Sequence, residues 1–221
     1  MKPRILILGS TGRTGKWLLD EALKRGYFVN LLVRDKSKIS PNGRLCIFEG
    51  DSSNKNDLTK ALEGCESVLS ALNISRNSDF PWAKLRTSEF FLSQTMQNLI
   101  EIGALGKLKK VIFTSAWGVN ETKKDIPWWF RWLINNSNIG IAYQDHERQE
   151  KLLENTLSLN YVAVRPVGLT NSLETQKVRV TLENNTPIPN LTISRLTTAK
   201  FMLDCLEQNL YNRQKPIISA E

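Results

Sequence analysis

Short continuous apolar runs alternate along the chain with stretches in which apolar residues recur every three or four positions. Ile5, Leu6, Ile7 and Leu8 form the first run; Gly9, Gly12 and Gly15 follow it, and then comes an inward stripe of Gly15, Leu18, Leu19 and Ala22. A continuous run fits a strand covered on both faces and the stripe fits an amphipathic helix, so this segment predicts a buried strand turning sharply into a helix. Further strands are predicted at 27–33, 45–48, 67–72, 109–114 and 159–164, with short ones at 178–182, 191–193 and 216–219. Helices are predicted over 57–62, over 82–104 with Ser88, Leu92, Thr95, Leu99 and Ile102 on one stripe, and over 143–157 with His146, Glu150, Leu153 and Leu157 inward. A last helix starts at a capping Ser194 and buries Leu196, Ala199, Leu203, Leu206 and Leu210. Strand and helix in turn imply an α/β fold, a Rossmann-type doubly wound parallel sheet with helices on both faces, in a single domain over 1–221.

The first turn carries candidate chemistry. Gly9 permits the tight turn, Gly12 lets backbone approach a pyrophosphate, and Gly15 sits where the helix packs on the sheet. Backbone N–H groups at the helix start then hold an anion, which points to dinucleotide binding. The second strand ends in Arg34 and Asp35. An arginine there accommodates the 2′-phosphate of NADP, whereas a carboxylate accepts from the 2′-hydroxyl of NAD; Arg13 can approach the same phosphate, so NADPH is the preferred cofactor and Asp35 keeps NAD open. Asp51 and Ser52, after the third strand, either meet the adenine edge or cap the next helix.

Ser115 places a hydroxyl at the carboxyl end of the fifth strand, with Trp117 close by; the other reading is a serine bonded to local backbone. Beyond it the alternation breaks, and residues 119–142, with 166–193, are the expected substrate-side elements. Trp128, Trp129, Phe130 and Trp132 concentrate four large rings within five residues. They are read either as a wall that stacks on a flat ligand or as a structural plug or dimer contact. His146, the single histidine, lies on an inward stripe and is either a satisfied buried side chain or a proton relay.

Composition narrows the setting. Apolar content of 41% and charged content of 24% are ordinary for a globular domain, and no window approaches a membrane span. The first apolar run is too short for a signal-peptide core, so a cytoplasmic location is expected. Cys46, Cys65 and Cys205 are scattered, without metal-ligand spacing, and are expected to be reduced thiols. A net charge of +8 favours anionic partners, but the basic residues form no long tract and no nucleic-acid module is visible. The expected partner is an anionic small molecule, with the chain a monomer or weak homodimer.

Gly9-Ser-Thr-Gly12-Arg-Thr-Gly15, Arg34-Asp35, Gly50-Asp51, Phe113-Thr-Ser115-Ala116, Asp145-His146, Tyr161-Val-Ala-Val164 and the 201–206 run fall in an order that resembles atypical short-chain dehydrogenases/reductases. The likeness is to the NmrA-like, flavin reductase/biliverdin-IXβ reductase group. It implies a hydride transfer from NADPH to a flat conjugated acceptor such as a flavin, tetrapyrrole or quinone. It also implies phosphate contacts from Gly9, Thr11, Gly12, Arg13, Thr14 and Gly15, 2′-phosphate binding by Arg34, Asp51 and Ser52 beside adenine, and Leu72 and Asn73 along the cofactor, with Ser115 beside the nicotinamide. Pro166 and Arg76 are further cofactor candidates, and Trp117, Trp128, Trp129 and Arg165 are substrate candidates. The family's Tyr-x-x-x-Lys dyad is missing: aligned back from Arg165 and Pro166, His146 takes the lysine place and Ala142 the tyrosine place, with Tyr143 adjacent. Without that dyad, reduction of an electron-poor ring is favoured over alcohol oxidation. A redox-sensing NADP-binding regulator and an epimerase-like or isoflavone-reductase-like enzyme are the alternatives.

Overall fold

A computed structural model describes residues 2–106, 108–182 and 190–221. In chain order the elements are β1 (Arg4–Leu8), α1 (Arg13–Lys24), β2 (Phe28–Val33), β3 (Leu45–Glu49), α2 (Lys55–Ala61), β4 (Ser67–Ser70), α3 (Phe91–Gly103) and β5 (Lys110–Thr114). They continue with α4 (Trp128–Asn135), α5 (Ile139–Glu154), β6 (Asn160–Pro166), β7 (Gly168–Thr170), β8 (Val178–Thr181), β9 (Thr192–Ser194), α6 (Arg195–Glu207) and β10 (Ile217–Ala220). The main sheet has the order β3-β2-β1-β4-β5-β6-β10-β8, and β7 pairs with β9 in a small second sheet. All main-sheet pairs are parallel except β8 on β10.

The period of two along β1 divides the core. Ile5 and Ile7 pack with Leu18 of α1 and Leu203 of α6, while Leu6 and Leu8 pack on the other face with Leu58, Leu99 and Leu153 of α2, α3 and α5. Helices therefore cover both faces of a doubly wound sheet. The strand order reverses at β1, which lies between β2 and β4, and a crevice outside the carboxyl ends of these strands is the place where such a sheet binds ligands.

Several expected boundaries move. The helix expected over 82–104 begins only at Phe91, and Ser88 is exposed. Its first residues instead pair antiparallel with the loop after β4: Asn77 N–H donates to the Lys84 carbonyl at 3.0 Å and Arg86 N–H to that of Ser75 at 2.8 Å. A distant cap sets the start, because the buried Asp145 carboxylate accepts from Leu92 N–H at 2.6 Å and from the Ser93 hydroxyl. The helix expected over 143–157 runs instead over Ile139–Glu154, leaving Leu157 exposed. Past its end, Arg213 gathers the carbonyls of Thr156 and Leu159, at 2.8 and 3.1 Å.

Arg165 and Pro166 lie past the strand expected over 159–164 and complete β6, with Arg165 N–H donating to the Pro216 carbonyl at 2.8 Å. Leu210 lies past the end of α6 and is half-buried. The aromatic segment, where the alternation breaks, is helical and follows a short 3-10 turn over Asn120–Lys124. Of the expected substrate-side stretch 166–193, positions 183–189 lie outside the described residues.

Candidate active site

The turn after β1 shows why glycine is needed there. Gly9 has φ +78°, and a side chain on it would meet the Ala71 carbonyl at 2.8 Å. Gly12 N–H closes the turn on the Gly9 carbonyl at 2.9 Å. Gly12 is also the N-cap of α1 and supplies no capping side chain, so the first-turn N–H groups are left for an anion. Gly15 is different. It does not line the cleft, and a Cβ on it would come within 1.9 Å of the Gly9 carbonyl oxygen. Its assignment to the phosphates is therefore corrected to a packing position that lets α1 close on the turn.

The remaining predicted cofactor positions, Gly9, Thr11, Gly12, Arg13, Thr14, Arg34, Asp51, Ser52, Leu72, Asn73, Arg76 and Pro166, line one cleft of about 1040 Å³ along the carboxyl ends of β1, β2, β4, β5 and β6. Arg34 is exposed at its rim. Asp35 turns aside: its carboxylate accepts from the Ser37 hydroxyl at 2.6 Å and lies 3.1 Å from the Lys38 ammonium, and these contacts hold its pKa below the ordinary carboxylate value. Asp51 borders the cleft while accepting from Ser53 N–H at 2.8 Å, and Asn54 is the actual cap of α2. Arg13 grips Asp79 through two hydrogen bonds of 2.9 and 3.2 Å, joining the glycine turn to the loop after β4.

At the far end, Ser115 is buried and its hydroxyl donates to Glu150 Oε1 at 2.6 Å. Glu150 also takes two bonds from Arg165, of 3.0 and 2.5 Å, and one from the Asn120 amide at 2.7 Å. Arg165 is 1% exposed, is bound also by Glu121 at 2.6 Å, and does not line the cleft. Its expected contact with substrate is corrected: two carboxylates hold it inside the protein, where an unpaired guanidinium would be costly. His146 is buried yet borders the cleft, and burial pushes its pKa down to about 4. Gln149 Nε2 lies 2.7 Å from its Nδ1. Ala142 and Tyr143 border the same end, and burial raises the Tyr143 phenol to about 12.

The aromatic residues divide. Trp117, Trp129 and Phe130 line the cleft, and Phe130 meets Tyr143 edge-on with ring centroids 6.2 Å apart. Trp128 does not; it is 74% exposed, so its expected place in a substrate wall is corrected. Spacing within one helical turn explains this, because neighbouring residues on a helix point in different directions.

Three of the four buried polar atoms left without a partner among the described residues, Ser10 Oγ, Arg76 Nε and Trp117 Nε1, belong to residues of this cleft. Five arginines line it, Arg13, Arg34, Arg76, Arg86 and Arg195, against Asp51 and Asp79. A glycine-walled turn, uncapped N–H groups, unpartnered donors and a cationic rim together fit a nicotinamide dinucleotide. Sequence reasoning missed Ser10, Arg86 and Arg195 as lining residues and Glu150 as the partner of Ser115. The signal for Glu150 was a charged residue on a stripe that the pattern buries.

The sequence profile described as NAD(P)H-binding matches residues 9–209. An oxidoreductase of Pestalotiopsis microspora is 27% identical over 185 residues, covering 77% of this chain and 68% of that protein. The dihydroflavonol 4-reductase of Zea mays is 26% identical over 141 residues, covering 57% of this chain but only 38% of its own length. Among solved structures, a Veillonella parvula short-chain dehydrogenase/reductase in complex with NADP has a TM-score of 0.79 at 20% identity, covering 99% of this chain and 95% of that one. An anaerobillin reductase from Escherichia coli has a TM-score of 0.79 at 15% identity, covering 98% and 97%.

Proposed function

The chain belongs to the NAD(P)H-binding family, and from the two ends of its cleft we propose that it is a reductase that carries hydride from NADPH to a flat, conjugated, anionic acceptor of the flavin, tetrapyrrole or quinone type. The observation that carries this reading is one continuous cleft with the glycine turn and Arg34 at one end and Ser115, His146 and the rings of Trp117, Trp129 and Phe130 at the other. NADPH supplies the hydride when bound. Arg34 would meet its 2′-phosphate, and the engagement of Asp35 by Ser37 and Lys38 supports NADPH over NAD. The relatives that match include oxidoreductases and reductases, which supports the reaction class.

The chain's own groups suit reduction. Because the Ser115 hydrogen goes to Glu150, its oxygen offers lone pairs to the cleft and would accept from a carboxamide N–H, orienting the nicotinamide. His146 is neutral near pH 7; with Nδ1 accepting from Gln149, its hydrogen sits on Nε2, so it donates a hydrogen bond rather than acting as a base. Ala142 at the dyad's tyrosine place leaves no phenol in register to activate an alcohol. The rings would stack on the acceptor, and the arginines would meet its carboxylates or phosphates.

The test mixes the protein with NADPH and, separately, with flavins, linear tetrapyrroles and quinones, following loss of the reduced nicotinamide band. Turnover with one class supports the reading and names the acceptor. No oxidation with any of them contradicts it and favours the redox-sensing regulator.

A further inference from the structure

Six large aromatic side chains are exposed among the described residues, and all six lie on two segments: Phe80, Trp82 and Phe90 on one, Trp128, Trp129 and Trp132 on the other. The segments touch. Trp82 Nε1 donates to the Asn136 carbonyl at 2.6 Å, the Asn138 amide donates to the carbonyls of Trp82 and Ala83 at 3.1 Å each, and the Phe80 and Trp82 ring centroids are 5.3 Å apart. In α4 only Ile134 is fully buried, and Phe130 packs on the core, while Trp128, Trp129 and Trp132 are 74%, 55% and 56% exposed. An aromatic concentration of this kind on a protein surface marks an interaction site.

Three observations say what covers it. Four of the six residues are tryptophans, whose part-polar rings favour the boundary between hydrocarbon and water. The surrounding charge is positive: Lys84, Lys123, Lys124 and Arg131 form no ion pair among the described residues. Of the nearby carboxylates, Asp79 and Glu121 are held by Arg13 and Arg165, leaving Glu89 and Asp125, and the whole chain carries +8. Finally, Pro127, Trp129 and Phe130 line the cleft, so the aromatic face is continuous with the cleft mouth. Two copies meeting through this face would oppose like charges, whereas an anionic lipid surface would complement them.

We propose that α4 and the loop before α3 form a membrane-docking face that seats the protein on anionic phospholipid, rings in the headgroup boundary and the cleft mouth turned toward the bilayer. Such a helix lies along the interface and does not cross it. No helix among the described residues is long and apolar enough to span a membrane, in keeping with attachment from one side. A conjugated acceptor held at the lipid surface would then lie close to the cleft mouth. The docking claim does not depend on which reaction the cleft performs.

The experiment is co-sedimentation of the full chain with phosphatidylcholine vesicles and with equimolar phosphatidylcholine/phosphatidylglycerol vesicles, together with tryptophan emission. The expected result is partition onto the anionic vesicles with a blue shift in emission, and little onto the neutral ones. Trp128→Ser with Trp132→Ser, which leaves the cleft-lining Trp129 in place, lowers partition by about tenfold or more. Lys123→Gln with Lys124→Gln lowers it severalfold, as added salt does for the parent. Unchanged NADPH affinity in both variants reports an intact fold. Failure to partition onto anionic vesicles, or equal partition of the tryptophan variant, overturns the proposal. A dimer in sedimentation equilibrium that the tryptophan variant dissociates also overturns it, assigning the face to a second copy.

Discussion

At the dinucleotide end of the cleft the working parts are backbone, contained in the seven residues from Gly9 to Gly15. At the other end they are side chains from distant parts of the chain: Ser115 after β5, Glu150 on α5 and Arg165 on β6, joined by hydrogen bonds and a buried ion pair, with His146 of α5 held by Gln149. The first end has no room for added bulk at Gly9 or Gly15. The second tolerates neither the loss of a partner nor an added proton. One sheet edge thus holds two sites whose failure modes differ, and substitutions can separate them.

The largest effect is expected where the buried pair is broken. Arg165→Met leaves Glu150 without its main partner and should cost about 3–5 kcal/mol in urea unfolding, whereas Arg165→Met with Glu150→Leu recovers much of the loss. A small cost for the single change would show that the far end is not held electrostatically. Next comes pH. The folded His146 titrates near 4 and the unfolded one near its ordinary 6.5, so the unfolded chain takes up the proton first as pH falls. This contribution is complete above about pH 6.5 and is lost between there and pH 4, up to roughly 3 kcal/mol; His146→Gln should flatten that part of the stability profile.

At the backbone end, Gly15→Ala should cost about 1–3 kcal/mol and also weaken NADPH binding, because the added carbon forces α1 away from the Gly9 carbonyl. Arg34→Ala should leave stability unchanged and lower NADPH affinity by about tenfold while sparing NADH, read by cofactor fluorescence. Equal losses for both cofactors would remove Arg34 from the 2′-phosphate.

This division also explains how much could be read from the sequence. The turn was legible because everything it needs is local: an apolar run, glycines at fixed spacing and a helical stripe. The alternation likewise gave a doubly wound parallel sheet, and the hydroxyl after β5 and the histidine of α5 were both found at the cleft. What failed was non-local. The start of α3 depends on Asp145, 53 residues from Leu92, and no local signal at Ser88 could reveal it. Arg165 looked like a substrate-binding cation because its two carboxylate partners come from other elements. The aromatic run gave no hint of its division between cleft and solvent until its helical phase was known.

In the proposed reaction hydride leaves NADPH at the Ser115 and His146 end of the cleft. Single-turnover mixing of the enzyme with an excess of the acceptor found in the panel, using NADPH or NADPH deuterated at the transferred position, tests it directly. The prediction is slower oxidation of the deuterated cofactor and a further slowing in Ser115→Ala, with NADPH affinity preserved. Oxidation insensitive to both deuterium and Ser115→Ala would contradict it.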